Sequence, residues 1–209
     1  MNQNKTRPYL LAHITPEETS KKIKKTNGFK ISVHDVKNAK NEWLGDGVYF
    51  WDGNDEKALD FGKKVISNKP GFKNKKLVAI FTNIEILQKN HINLEIAKER
   101  NDFYNFIKVN NPEEGEITIN VMEMLRKREY INKRDLATVG KFLGKYINSY
   151  LDYLLRNFGE DIKMVSCYFF HKKNELYTFA RGEMIIRQFC IKDVEIVNNN
   201  INEWKIVKI

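Results

Sequence analysis

Leu44-Gly45-Asp46-Gly47-Val48-Tyr49-Phe50-Trp51 is the stretch on which the fold turns. Two glycines one residue apart mark a bend where side chains would clash, and the apolar run Val48 to Trp51 has the length of a buried strand. A helix is expected next, over about Asp55 to Ser67, with Ala58, Leu59, Gly62 and Ile66 sharing a face. Upstream, Tyr9 to Ile14 is compact and apolar enough for a strand. It leads into Thr15-Pro16-Glu17-Glu18, where Thr15 suits the N-cap, Pro16 the first helical position, and Glu18 the place three beyond the cap. That helix should stop at Asn27-Gly28, where glycine supplies a left-handed residue. A polar loop over Ser32 to Asn41 separates it from the glycine turn, and Lys76 to Ile84 reads as a central strand by its β-branched content.

The middle has a different period. Leu94 to Lys108, Ile117 to Glu129 and Asp135 to Phe158 are helical in pattern, and Phe142, Tyr146, Tyr150, Tyr153 and Leu154 form an apolar stripe expected to be core. Strands return at Met164 to His171, Leu176 to Phe179 and Met184 to Ile191, with a turn at Lys172-Lys173-Asn174; Val194 to Val197 and Trp204 to Ile209 are candidates for two more. The order implies an α+β fold, a single domain over 1–209 with a helical insertion at about 91–163.

Of 209 residues, 42% are hydrophobic and 30% charged, enough apolar material for a core and too much for wholesale disorder. No apolar run approaches the ~20 residues that span a bilayer, and the apolar stretch Tyr9 to Ala12 is short for a signal-peptide core. Two cysteines, Cys167 and Cys190, make neither a disulfide scaffold nor a metal cluster by themselves, so the expected setting is a reducing cytoplasm. His34, His91 and His171 lack partners at ligand spacing, so no metal site is expected. The net charge is +9, and it is uneven: residues 1–100 carry 19 Lys+Arg against 12 Asp+Glu. The excess lies in Lys21 to Lys25 and Lys63 to Lys76. Such a surface would attract RNA, DNA or an acidic protein. Yet 28 of the 36 cations are Lys, without arginine's bidentate fork, and the abundance of Asn and Ile also fits an AT-rich coding sequence.

Three segments carry the chemistry: His13-Ile14-Thr15 at a strand end, the glycine turn with Tyr49 and the helical Ala58 nine residues on, and Arg181-Gly182-Glu183-Met184-Ile185-Ile186. In this order they resemble the ADP-ribosyltransferase superfamily, in the diphtheria-toxin and poly-ADP-ribose-polymerase branch whose site combines His, Tyr and Glu. The match is closer to small bacterial members of that fold, several of them suspected toxins. It covers residues 8–66 and, more weakly, 164–197. The resemblance implies a split β-sandwich with flanking helices around a cleft for NAD. His13 would bond a hydroxyl of the adenosine ribose, the Ile14 backbone would meet the nicotinamide carboxamide, and Thr15 would support the ribose. Tyr49 would stack on nicotinamide, with Gly28, Gly47, Phe50 and Phe61 lining the dinucleotide. Glu183 would bond the 2′-hydroxyl of the nicotinamide ribose and stabilise the oxocarbenium-like centre.

The chain departs from the polymerase pattern at two points. Ile14 stands where glycine is usual, and Asp60 stands where a second stacking aromatic would fall, with Phe61 one residue later. Glu175 and Glu195 are the other late carboxylates; Glu183 leads because it begins a strand. Singly, each residue has an ordinary reading: His13 as a core histidine, Tyr49 as a strand aromatic, Glu183 as a surface carboxylate, Cys167 as an inert buried thiol.

The expected function is NAD-dependent transfer of ADP-ribose to a nucleic acid or protein with release of nicotinamide. A toxin, effector or phage-defence role and a neutralising antitoxin or immunity partner follow by analogy only. The alternatives are an NAD glycohydrolase or RNA 2′-phosphotransferase on the same fold, and a non-catalytic basic module that binds nucleic acid or a partner.

Overall fold

In the computed structural model, residues 5–35, 42–69, 71–127, 133–171 and 184–209 are described. The chain runs β1 (Thr6–Pro16), α1 (Glu17–Lys25), β2 (Val48–Asp52), α2 (Glu56–Ser67), β3 (Leu77–Leu87), β4 (His91–Asn93), α3 (Ala97–Asn110), α4 (Pro112–Lys127) and α5 (Lys133–Phe158). It then continues through β5 (Met164–His171), β6 (Met184–Ile191), α6 (Glu195–Asn198) and β7 (Lys205–Lys208). The fold is α+β, and the strands form one mixed sheet in the order β4-β5-β6-β2-β1-β3-β7. β4 and β5 are parallel, and every other neighbouring pair is antiparallel.

The sheet has a narrow seam. β1 is in register with β3 from Thr6↔Leu87 to Pro16↔Leu77, but with β2 only at Leu11↔Asp52 and Ala12↔Trp51. β4 and β1 are four strand spacings apart, about 19 Å in a flat sheet, yet the Tyr9 hydroxyl lies 2.9 Å from His91 Nδ1. The sheet therefore curls strongly. Inside the curl pack Leu11, Phe50, Ile80, Ile84, Met164, Phe189 and Ile191, closed by Phe29, Val197 and Trp204. Burial of such side chains contributes about 1.5–3 kcal/mol each, so this shared interior holds the two sides of the seam together.

The outer face of β5 and β6 carries Val165, Cys167 and Cys190, which α3, α4 and α5 cover with Phe103, Ile107, Leu143, Tyr146 and Ile147. The aromatic stripe on α5 is core over most of its length: Tyr146 is 1% exposed, and Tyr153, at its edge, is 40% exposed. α2 covers Ile14, Trp51, Ala79 and Ile186 with Ala58, Leu59, Phe61 and Ile66. Asp55 caps α2, its carboxylate accepting from the Lys57 amide at 2.9 Å.

Three local expectations are corrected. Thr15 is not an N-cap: it is buried in β1, α1 starts at Glu17, and the first helical amide donates to Lys76 O at 2.9 Å. The β1–β3 ladder runs past Thr15 to Pro16 and claims its backbone. Val194 to Val197 is not a strand. Asp193 accepts from the Glu195 amide at 3.2 Å and opens a turn into α6, despite the β-branched composition. β4 gives no periodic signal in three residues, and it places the start of the 91–163 stretch within the sheet. The expected turn at Lys172–Asn174 and strand at Leu176–Phe179 lie outside the described residues.

Candidate active site

His13 lies on β1 just past the last registered pair with β2. Its ring faces the interior of the curl, edge-on to Phe29 at 4.9 Å and Phe50 at 5.7 Å. Nδ1 is 2.9 Å from the carbonyl oxygen of Tyr49. A carbonyl only accepts, so Nδ1 carries the proton and the neutral ring presents an Nε2 lone pair. Burial lowers the pKa, the bond to Tyr49 opposes that, and the nearby Lys69 lowers it further. Thus His13 is a neutral imidazole whose side chain bridges the seam where ladder pairing stops.

The Tyr49 side chain points the other way. Its hydroxyl donates to Gly45 O at 2.7 Å and accepts from the Leu44 amide at 2.9 Å, which locks the phenol under the glycine turn. Burial, with Cys190 and Glu42 nearby, raises its pKa well above the usual phenol value. The first two motifs therefore meet through the His13 ring and the Tyr49 backbone, while the two rings occupy opposite faces of the sheet. Phe50 is fully buried inside the curl beside His13. Ile14 faces outward against Trp51 and Ala58, and Phe61 meets Trp51 edge-on at 5.6 Å. Gly62 makes this possible, since a Cβ there would fall 2.4 Å from Trp51 Nε1 and 2.6 Å from Ile14 Cδ1. Thr15 is 4% exposed. Glu183, with Arg181 and Gly182, lies outside the described residues.

The glycines are explained by close approach. Gly47 has φ +154°, and a Cβ would sit 2.3 Å from Cys190 Sγ and 2.6 Å from Ile191 O. Gly28, at φ +136°, leaves room for Asn198, which accepts from the Phe29 amide at 2.7 Å and donates to Phe29 O at 3.2 Å. The clasp sets the ring that packs on His13.

The turn is also held by residues that sequence patterning missed. Lys192 Nζ donates to Leu44 O at 2.5 Å and Asp46 O at 2.6 Å, and burial lowers its pKa. Asn148 on α5 accepts from the Asp46 amide at 2.9 Å. His34 Nδ1 accepts from the Glu42 amide at 3.1 Å, which leaves Nε2 to donate to Lys141 O at 2.8 Å. Ser32 donates to the Glu42 carboxylate. None of these carries a spacing signal: the Lys192, Asn148 and His34–Lys141 contacts join segments more than 100 residues apart, and the Ser32 and His34 bonds to Glu42 close an irregular loop. Lys69 was visible only as one of many lysines in a basic run.

Among the described residues no group of His, Cys, Asp and Glu could hold a metal ion. Cys167 and Cys190 are buried free thiols, and burial raises the pKa of both. No described helix is long and apolar enough to cross a membrane. Comparison with protein-family models, with curated proteins and with solved structures returns no match for this chain.

Proposed function

We propose that the protein is an NAD-dependent ADP-ribosyltransferase that moves ADP-ribose to a macromolecule and releases nicotinamide. The observation that carries this is the bond from His13 Nδ1 to the Tyr49 carbonyl, which joins the two strand-end motifs across the seam and leaves Nε2 as an acceptor. A hydroxyl of a ribose is a donor of the kind that a neutral imidazole accepts. The resemblance implies a split β-sandwich, whereas the strands form one curled sheet with a two-pair seam between β1 and β2.

NAD fits the chemistry of these residues. His13 orients a ribose through Nε2, and its low pKa keeps that lone pair available at neutral pH. Lys69, close enough to depress the His13 pKa, adds positive charge beside it for the dinucleotide phosphates. Glu183, by resemblance, holds the 2′-hydroxyl of the second ribose and offsets positive charge as the glycosidic bond to nicotinamide breaks. The locked Tyr49 and the clasped Phe29 keep His13 in place, so orientation costs little at the moment of reaction.

Incubation with adenine-labelled NAD and separate fractions of cellular RNA, DNA and protein tests this. Label should become covalently attached to one fraction. Label recovered only as free ADP-ribose would replace the transferase with a glycohydrolase, and an unconsumed label would remove the catalytic reading.

A further inference from the structure

Arg7, Tyr9, Leu11 and His13 alternate along one face of β1, and Tyr9 lies four residues, about 13 Å, from His13. At Tyr9 the curl is crossed by a polar chain. The Tyr9 hydroxyl meets His91 Nδ1 at 2.9 Å, His91 Nε2 meets Ser166 Oγ at 2.8 Å, and Arg187 Nη2 donates to Ser166 Oγ at 3.2 Å. The Arg187 guanidinium spreads over Phe189 at 4.7 Å and Tyr168 at 5.5 Å, and its Nε is buried without an acceptor. Arg7 is exposed, lies two residues before Tyr9 on the same face of β1, and its charge opposes the rise that burial gives the Tyr9 pKa.

Neither guanidinium has a carboxylate partner among the described residues. Glu99 acts on Tyr9, and its carboxylate accepts from the Asn93 amide. His91 adds no charge of its own: burial, then Arg187 and Arg7, push its pKa down to about 3, so the ring is neutral. A half-buried arginine with an unused donor, near a second arginine and with no carboxylate paired to either among the described residues, is costly by itself and suits an anion that bridges both.

We propose that Arg7 and Arg187 hold a phosphodiester of a single-stranded nucleic acid, with the exposed ring of Tyr168 taking a base. The acceptor role of that strand, though not its binding, rests on the transferase reading of the His13 site. An arginine fork matches phosphate oxygens. Tyr168 is 36% exposed and backed by Arg187, a platform for an unstacked base that an acidic peptide would leave idle and a duplex could not reach. The separation from His13 is a span that a few nucleotides cover.

Fluorescence polarisation with labelled single-stranded RNA and DNA, the same sequences as duplexes, and a polyglutamate peptide measures this on the full chain. Wild type should bind single strands at least 10-fold tighter than duplex or peptide. Arg7→Gln, an exposed change, should lower the slope of log affinity against log salt by about 0.7. Tyr168→Ala should weaken binding at least 5-fold with little change in that slope. Because Arg187→Gln could unsettle the fold, Arg187→Lys serves as the second cationic variant and should also weaken binding. Equal binding by wild type and all three variants, preference for duplex or peptide, or no binding would overturn the proposal. Variant-sensitive binding without NAD consumption would uphold this site and defeat the transferase reading instead.

Discussion

A single proton on His13 sets the character of the site. With Nδ1–H committed to Tyr49 O, the ring can accept at Nε2 only while neutral, and burial among Phe29 and Phe50 keeps it so. Tyr49 contributes rigidity through its hydroxyl. Tyr49→Phe would leave Leu44 N and Gly45 O without their partner under the turn, at a cost of about 1–3 kcal/mol. Urea unfolding should show the midpoint fall by that equivalent with an unchanged slope. A midpoint within error of wild type would show that the two bonds are replaced by water. The identity of His13 as a candidate was legible in sequence, because a histidine at a strand end was followed by a helix and a glycine stop. Its partner was not, because a bond to a backbone carbonyl 36 residues away depends on where two strands part. The opposite facing of the Tyr49 ring follows from strand alternation once the register is known.

Among the elements, β2, α2, β3 and the three long helices were readable because each has a clear period and boundary residues such as Gly47 and Asp55. α6 and β4 were not. A short β-branched run turned by Asp193 reads as a strand, and three residues paired to a distant neighbour leave no pattern. What no pattern could show is that α5 braces the glycine turn. At Gly144 a Cβ would lie 2.1 Å from Glu42 O and 2.7 Å from His34 Nδ1. Replacing a mid-helix glycine by alanine ordinarily gains about 1 kcal/mol. Here overpacking against backbone should outweigh that gain, for a net loss of about 1–2 kcal/mol in Gly144→Ala. Denaturant titration reads the sign directly, and a stabilised variant would mean that the loop yields without cost.

For the whole molecule, the two interior histidines make stability fall with acid. His13 and His91 both have folded pKa values below the ordinary 6.5, His91 at about 3. Below about pH 6.5 these two groups therefore bind more protons in the unfolded chain than in the folded one. The His91 contribution is complete above about pH 6.5 and is lost as pH falls toward 3, by up to about 1.4 kcal/mol per pH unit, and His13 acts in the same direction. Melting temperatures across pH 7 to 4.5 should decline, and His91→Gln should flatten the decline; an unchanged slope would show that His91 does not carry it. The α+β class was evident from the order of elements. The curl was not, since it depends on how few residues β1 and β2 share.

Nicotinamide release from NAD by wild type, Glu183→Gln and His13→Ala, with thermal melts to show that each variant is folded, decides whether the protein is a transferase that works through these residues. Wild type should release nicotinamide, Glu183→Gln should lose at least 100-fold, and His13→Ala should lose less, about 10-fold, consistent with one hydrogen bond to the substrate. Release by wild type that survives Glu183→Gln undiminished, or no release with any nucleic-acid or protein acceptor present, would contradict it.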